Sequence, residues 1–207
     1  MVVAVAVAMA GIASAQRAEP VFTVPPAAVL DDADVAPRSE AQQRAEDAIA
    51  LFRSVCADAP GETTAQVDRA LAAGLRPHAG EGGSDADALL GGSPGQVFAP
   101  PGRGAVLQVA LAENGRCTVW AERAEGPAVK AGFAGVIDTL RARGAKVRVI
   151  GERIVERGGS WRQQSAFEVR DEHGARSFDA VTLLAERPGM QVLSSAPRGA
   201  GSRTVKP

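Results

Sequence analysis

The chain has 207 residues, and its 23 Lys and Arg against 24 Asp and Glu leave a formal net charge of −1 at pH 7. This length predicts one ordinary domain, or at most two small ones, with a sizeable buried core. A net charge this close to zero argues against general electrostatic binding to nucleic acid or an anionic membrane, because both require a basic excess. With 45% hydrophobic and 23% charged residues, most of the chain should be globular rather than disordered.

The first residues resemble an export signal. Residues 1–15 carry no charge and end in Ala13-Ser14-Ala15, the small-x-small pattern that signal peptidases cut. The run is too short to span a membrane, which takes about 20 apolar residues. It lacks a preceding basic residue, and a buried N-terminal strand or helix is the alternative. We expect a signal peptide and a periplasmic or secreted protein with no transmembrane segment after cleavage.

Proline content and periodicity divide the rest of the chain into three parts. Residues 16–38 contain four prolines and no sustained period, which is typical of a flexible leader. Residues 39–193 are predicted to form a single domain. Residues 194–207 are rich in Gly, Ser and Pro and are predicted to be a disordered tail.

Three helices are predicted from their capping signals and apolar stripes. The first follows a capping box at Ser39-Glu40-Ala41-Gln42 and carries one apolar stripe that ends at Cys56. The second starts near a capping box at residues 63–66, buries Val67 and Leu71 and stops at Gly74. The third runs from Pro127 to Gly144.

The strand signals predict an antiparallel sheet. Residues 106–112 and 117–122 flank Asn114-Gly115, and a three-residue loop places Leu107, Val109, Leu111, Cys117 and Val119 on one face. A short strand is predicted at 96–98 within a Gly-rich loop, and three more at 146–156, 160–170 and 176–185. The order αα-ββ-α-βββ predicts an α+β fold with helices packed on one face of the sheet.

The only two cysteines, Cys56 and Cys117, are both predicted to face the core. In an exported chain two cysteines favour one disulfide, and two buried thiols are the intracellular alternative. We therefore predict a Cys56–Cys117 bridge whose Cα atoms lie about 4.4–6.8 Å apart.

One string has the form of a catalytic motif. Residues 91–95 match G-x-S-x-G, the nucleophile elbow of α/β hydrolases, and Asp171 and His173 follow in the right order. The elbow requires a strand before it and a helix after it, whereas a Gly-rich loop is predicted on both sides. Pro94 also lacks the backbone N–H that would stabilise an oxyanion. We predict a loop at Ser93 and an exposed turn at His173, and we assign no catalytic residue, metal site or cofactor.

The two tryptophans are the candidate binding residues. Trp120 is predicted to point away from the Cys117 face, and Trp161 lies on the alternating strand at 160–170. An exposed Trp on a sheet is typical of a binding site, whereas a Trp packed under the Gly-rich loop or a helix has a structural role. The basic residues Lys146, Arg148, Arg153 and Arg157 are predicted to form a solvated strand face, because Glu152 and Glu156 interleave them.

The Phe52-x-x-x-Cys56 helix, the segment from Ala70 to Gly74 and Cys117-Thr118-Val119 resemble a loose family of small exported proteins of α-proteobacteria. The resemblance covers about residues 45–185. It implies an envelope location and a disulfide-tied α+β domain, and it supplies no catalytic residues.

These features favour a non-enzymatic periplasmic or secreted protein that binds a protein partner or an envelope component, and not nucleic acid. Two alternatives stay open. One is a hydrolase that acts on envelope material through a pair of carboxylates about 5–10 Å apart in a cleft. The other is an inhibitor of such a hydrolase.

The signal-peptide hypothesis makes a direct prediction. Cleavage after Ala15 should leave an exported protein that begins at or near Gln16, which intact-mass measurement would detect. A full-length product that stays in the cytoplasm would contradict export.

Overall fold

The computed structural model describes residues 38–59, 61–78, 89–102, 106–157, 159–185 and 188–198. The predicted signal peptide, the leader up to residue 37 and residues 199–207 of the predicted tail lie outside these ranges. Within them, no helix has the length and apolar content that crossing a bilayer requires.

The described chain forms an α+β fold in which helices cover one face of an antiparallel sheet, as predicted. The helices are α1 (Glu40–Leu51), a π-helical segment that continues it (Phe52–Ala57), α2 (Thr63–Ala72) and α3 (Gly126–Ala142). The strands are β1 (Arg76–Pro77), β2 (Gly95–Ala99), β3 (Leu107–Ala112), β4 (Cys117–Ala124), β5 (Lys146–Arg157), β6 (Ser160–Asp171), β7 (Gly174–Leu183) and β8 (Gly189–Pro197). The sheet order is β1-β2-β3-β4-β8-β7-β6-β5.

The first helix confirms its sequence signals. Ser39 accepts a hydrogen bond from the Gln42 backbone, and the Gln42 side chain accepts one from the Ser39 backbone, which completes the capping box. The predicted apolar stripe is buried along its whole length and continues through the π-helical segment to Cys56. The ring of Phe52 lies 5.9 Å from that of Phe133 on α3 and 6.0 Å from that of Phe178 on β7. This aromatic cluster joins the π-helical segment after α1, α3 and the sheet.

The second helix differs from its prediction on two points. Its N-cap is Glu62, which makes no side-chain capping bond, so the predicted box at Thr63 is wrong. Its buried residues are Gln66 and Ala70, whereas Leu71 is exposed. The buried face of α2 is therefore centred on Gln66 and Ala70, and not on the predicted stripe of Val67 and Leu71. Its predicted end at Gly74 is confirmed, with a φ of +82° there.

The β3–β4 hairpin has the predicted register. Leu111 lies opposite Cys117, and Val109 lies opposite Val119. Gly115 has a φ of +80°, which is the left-handed conformation that the three-residue loop requires. Cys117 is consequently buried and faces the helices.

A strand that the sequence did not predict completes the sheet. β8 lies between β4 and β7 and includes residues 194–197, so the predicted start of a disordered tail at Ser194 is wrong. Two of its inward-facing residues are polar, Gln191 and Ser195, and this removes the hydrophobic alternation that marks a strand. The Ser195 hydroxyl instead donates a hydrogen bond to the carbonyl oxygen of Cys56.

The predicted disulfide is present and joins the helical layer to the sheet. The Cα atoms of Cys56 and Cys117 lie 5.4 Å apart, and both residues are fully buried. The bridge closes a separation of 61 residues, which restricts the unfolded chain and stabilises the fold. Since Cys56 lies in the π-helical segment after α1 and Cys117 begins β4, the bridge fixes the covering helices to one face.

Replacing both cysteines by Ala should lower the free energy of unfolding by about 2–5 kcal/mol, the usual effect of losing a native bridge in a small domain. Urea denaturation of the oxidised protein and the double variant measures the difference, and reduced wild-type protein is the control. Two reactive thiols in the unfolded, unreduced wild-type chain would contradict the bridge.

Candidate binding surfaces

A β-bulge in β5 determines which side chains share a face at the edge of the sheet. Val149 lies opposite Phe167 and Gly151 lies opposite Ala166, so Ile150 is an extra residue without its own partner. Phe167 marks the helix-covered face, because its ring lies 5.9 Å from that of Phe133 on α3. Beyond the bulge, the alternation of β5 is therefore reversed.

This reversal separates the charges of β5. Arg148, before the bulge, and Arg153, after it, both lie on the face away from the helices, opposite Glu168 and Gln164. Glu152 and Glu156 lie on the helix-side face, opposite Ser165 and Trp161. The predicted interleaving of basic and acidic residues is therefore wrong, because a regular strand would place Arg148 and Glu152 on one face.

On the helix side, the outer part of the β5–β6 hairpin carries an exposed apolar surface. Trp161 is 58% exposed, Ile154 59% and Leu184 40%. These three residues, together with Glu152 and Glu156, are called the Trp161 surface below. A cleft of about 390 Å³ lies beside the indole and is lined by Trp161, Leu183, Leu184 and their neighbours.

The position of this cleft depends on a buried glutamine. The Gln191 side chain accepts a hydrogen bond from the backbone of Leu183 at 2.8 Å and donates one to the carbonyl of Ala124 at 3.0 Å. The ends of β7 and β4 are thereby joined. The Leu184 backbone then donates to the carbonyl of Trp161 at 3.1 Å, which places Leu184 beside the indole. No sequence pattern pointed to Gln191, because a buried polar residue interrupts the alternation that marks a strand.

The second candidate tryptophan is not on this surface. Trp120 lies opposite Gln108 and Val192, on the face away from Cys117, as predicted. It is half-buried and packs against a small apolar cluster made of Leu89, Leu90, Val97, Ala110 and Ala112. Part of the predicted Gly-rich loop therefore covers it.

On the face away from the helices, three arginines surround one carboxylate. Glu168 makes an ion pair with Arg148 at 3.0 Å, a second with Arg170 at 3.6 Å and a third with Arg198. The hydrogen bond from Arg148, supported by the charges of the three arginines, lowers the pKa of the Glu168 carboxyl. Arg148 and Arg170 remain 69% and 65% exposed, so no described element covers them.

The second carboxylate on this face, that of Asp179, lies in a site that favours its charged form less. Partial burial raises the pKa of Asp179, and a hydrogen bond with Ser177 and the charges of Arg116 and Arg198 oppose this effect. On the described part of β5–β7, the face away from the helices therefore has two carboxylates, those of Glu168 and Asp179.

A cleft of about 470 Å³ lies where the end of α3 meets the β6–β7 turn. Its buried arginine, Arg176, donates hydrogen bonds to the carboxylate of Asp171 at 2.7 Å and to the carbonyl of Ala57 at 3.3 Å. At the rim, Arg143 pairs with Asp58 at 2.7 Å. Both aspartates of this cleft are thus in ion pairs with arginines. The buried Arg176 joins the β6–β7 turn to the π-helical segment.

The predicted turn at His173 also borders this cleft. The backbone N–H of His173 donates to the Asp171 carboxylate at 2.9 Å, which forms a tight turn, and the His173 side chain is about half exposed. Among the described residues, no group of three or more His, Cys, Asp or Glu side chains is placed to hold a metal ion.

The G-x-S-x-G string does not have the setting of a nucleophile elbow. A short helical turn at 89–90 precedes it and strand β2 follows it, which reverses the strand-to-helix order of the elbow. The Ser93 hydroxyl accepts a hydrogen bond from the Asn114 side chain at 2.7 Å, so it stabilises the contact between its loop and the β3–β4 turn. Ser93 and His173 line different clefts.

Comparisons with known proteins give little further information. No protein-family model matches the chain, and no curated protein matches it. Among solved structures, the solution structure of cyanobacterial PsbP (CyanoP) from Synechocystis sp. PCC 6803 is similar over 60% of this chain and 71% of that chain. Its sequence identity is 12% and its TM-score 0.30. A similarity of this size carries no argument about fold or function.

The setting of Ser93 leads to a prediction for the hydrolase alternative. A fluorophosphonate probe should not label the protein at Ser93, because Pro94 cannot donate to an oxyanion. Mass spectrometry of the treated wild-type protein tests this, with Ser93→Ala as the matched control. A probe adduct on Ser93 that the variant lacks would contradict the assignment.

Proposed function

We propose that the chain is an exported binding protein whose Trp161 surface holds an apolar, basic segment of a protein partner. The observation that carries the proposal is the 58% exposure of Trp161 beside two other exposed apolar side chains. Exposed aliphatic residues that occur singly are ordinary, whereas a cluster of them around a Trp is typical of an interaction site.

The shape of the surface supports an extended or helical segment of a partner as its occupant. The cleft of about 390 Å³ beside the indole accepts an apolar side chain, and the aromatic ring provides one wall. Tryptophan is also the residue type most enriched among those that dominate binding energies, because it buries a large area with few rotatable bonds.

The charges around the Trp161 surface support a basic partner segment. Glu156 lies directly opposite Trp161, and Glu152 lies two residues further along the same face of β5. Both are exposed, so a Lys or Arg of the partner could pair with them at the rim. Such pairs contribute more to orientation and association rate than to affinity.

The disulfide supports the exported location. A buried bridge such as Cys56–Cys117 forms and persists in oxidising compartments and is rare in the cytosol of mesophiles. A periplasmic or secreted location, the signal peptide over 1–15 and the resemblance to exported α-proteobacterial proteins are parts of this proposal. The alternative that this chain inhibits an envelope hydrolase fits the same proposal, with that hydrolase as the protein partner.

Replacing Trp161 by Ser should weaken partner binding by at least about 30-fold, because an interfacial Trp commonly contributes 2 kcal/mol or more. The test is affinity capture from periplasmic extract with wild-type bait, followed by titration of the purified partner. Leu71→Ser is the matched control, because Leu71 is a 37% exposed apolar residue on α2, away from this surface.

The expected result is that the control retains the partner and Trp161→Ser loses it, while both keep the wild-type melting temperature. Equal affinity of the partner for all three proteins would contradict the proposed surface. An affinity lost equally in both variants would mean that the partner binds elsewhere.

A further inference from the structure

The face of the sheet away from the helices is basic over a wide area. Six cationic side chains lie on it, and they are called the open basic face: Lys146, Arg148, Arg153, Arg162, Arg170 and Arg198. The carboxylates of the described residues on this part of β5–β7 are Glu168 and Asp179. A chain with a net charge of −1 thus carries a local basic excess.

The arginines around Glu168 keep most of their capacity to bind anions. One carboxylate accepts two or three strong hydrogen bonds, whereas three guanidinium groups offer many more donors. Arg148 and Arg170 contact Glu168 while most of each side chain stays exposed. Glu168 therefore holds the arginines in position, and their outward donors remain accessible to an external anion.

The cations are spread in two dimensions. From Arg162 to Arg170 along β6 is eight residues, or about 27 Å, and from β5 to β8 is three strand spacings, or about 14 Å. A small anion would contact only one or two of these groups, and an extended acidic peptide would follow one line of them. A counter-surface with many separate anions could contact all of them together.

We propose that the open basic face docks against a bilayer surface rich in anionic phospholipid headgroups. The guanidinium group matches the geometry of phosphate oxygens, and five of the six cations are arginines. Each cation held near an anionic bilayer strengthens partition about fivefold, and the attraction falls off within a Debye length. The Trp161 surface lies on the helix side, so a docked molecule keeps it available for a partner.

The experiment is co-sedimentation of the purified protein with vesicles at low ionic strength. One set consists of an equal mixture of phosphatidylglycerol and phosphatidylcholine, and the other of phosphatidylcholine alone. The wild-type protein should sediment with the anionic vesicles only and should be released by high salt. Arg148→Gln with Arg170→Gln should weaken partition about 25-fold, and Glu168→Gln, which removes a negative charge, should strengthen it about fivefold.

The matched control is Arg38→Gln with Arg141→Gln, which removes the same charge from exposed side chains beside α1 and on α3. Absence of binding to anionic vesicles, or an equal loss in the control pair, would overturn the proposal. Binding to soluble polyglutamate but not to vesicles would assign the face to an acidic protein instead. Trp161→Ser should leave vesicle binding unchanged, so this result is independent of the partner proposed above.

Discussion

The placement of α1, α2 and α3 on one face of the sheet is the constraint on which the other features depend. The buried Cys56–Cys117 bridge joins the segment after α1 to the first residue of β4. Phe52 contacts rings from α3 and β7 in the same layer. Together these contacts place the helices on one face and close the core there. The opposite face of β5–β7 is then left with polar and charged side chains, and the outer part of the β5–β6 hairpin is left without a helical cover.

Given this placement of the helices, the extra residue at the β5 bulge, Ile150, determines which charged side chains lie on each face of β5. Without Ile150 as a bulge, Arg148 and Glu152 would share a face, and the charges of β5 would largely cancel there. With it, the arginines collect on the open side, and the acidic residues collect beside Ile154 and Trp161. The two proposed surfaces are therefore opposite sides of the same two strands, and net charge gives no information about either of them.

Sequence patterns predicted the elements in which local signals and burial agree. α1 has a complete capping box and an uninterrupted apolar stripe, and the β3–β4 hairpin has a glycine where its loop requires one, so both were correct. α2 and β8 place Gln66, Gln191 and Ser195 inward, and their polarity concealed the buried faces. The sorting of charges on β5 depends on pairing with β6. No property of β5 alone indicates that Ile150 has no partner.

Single cysteines at adjacent positions of β6 would test this separation of charge most directly. Gln164 lies opposite Arg153 on the open side, and Gln163 lies opposite Ile154 between the two glutamates. We expect Gln164→Cys to react faster with an anionic than with a cationic thiosulfonate at low salt, and Gln163→Cys to show the reverse preference. The same preference at both positions, or none at either, would contradict the account.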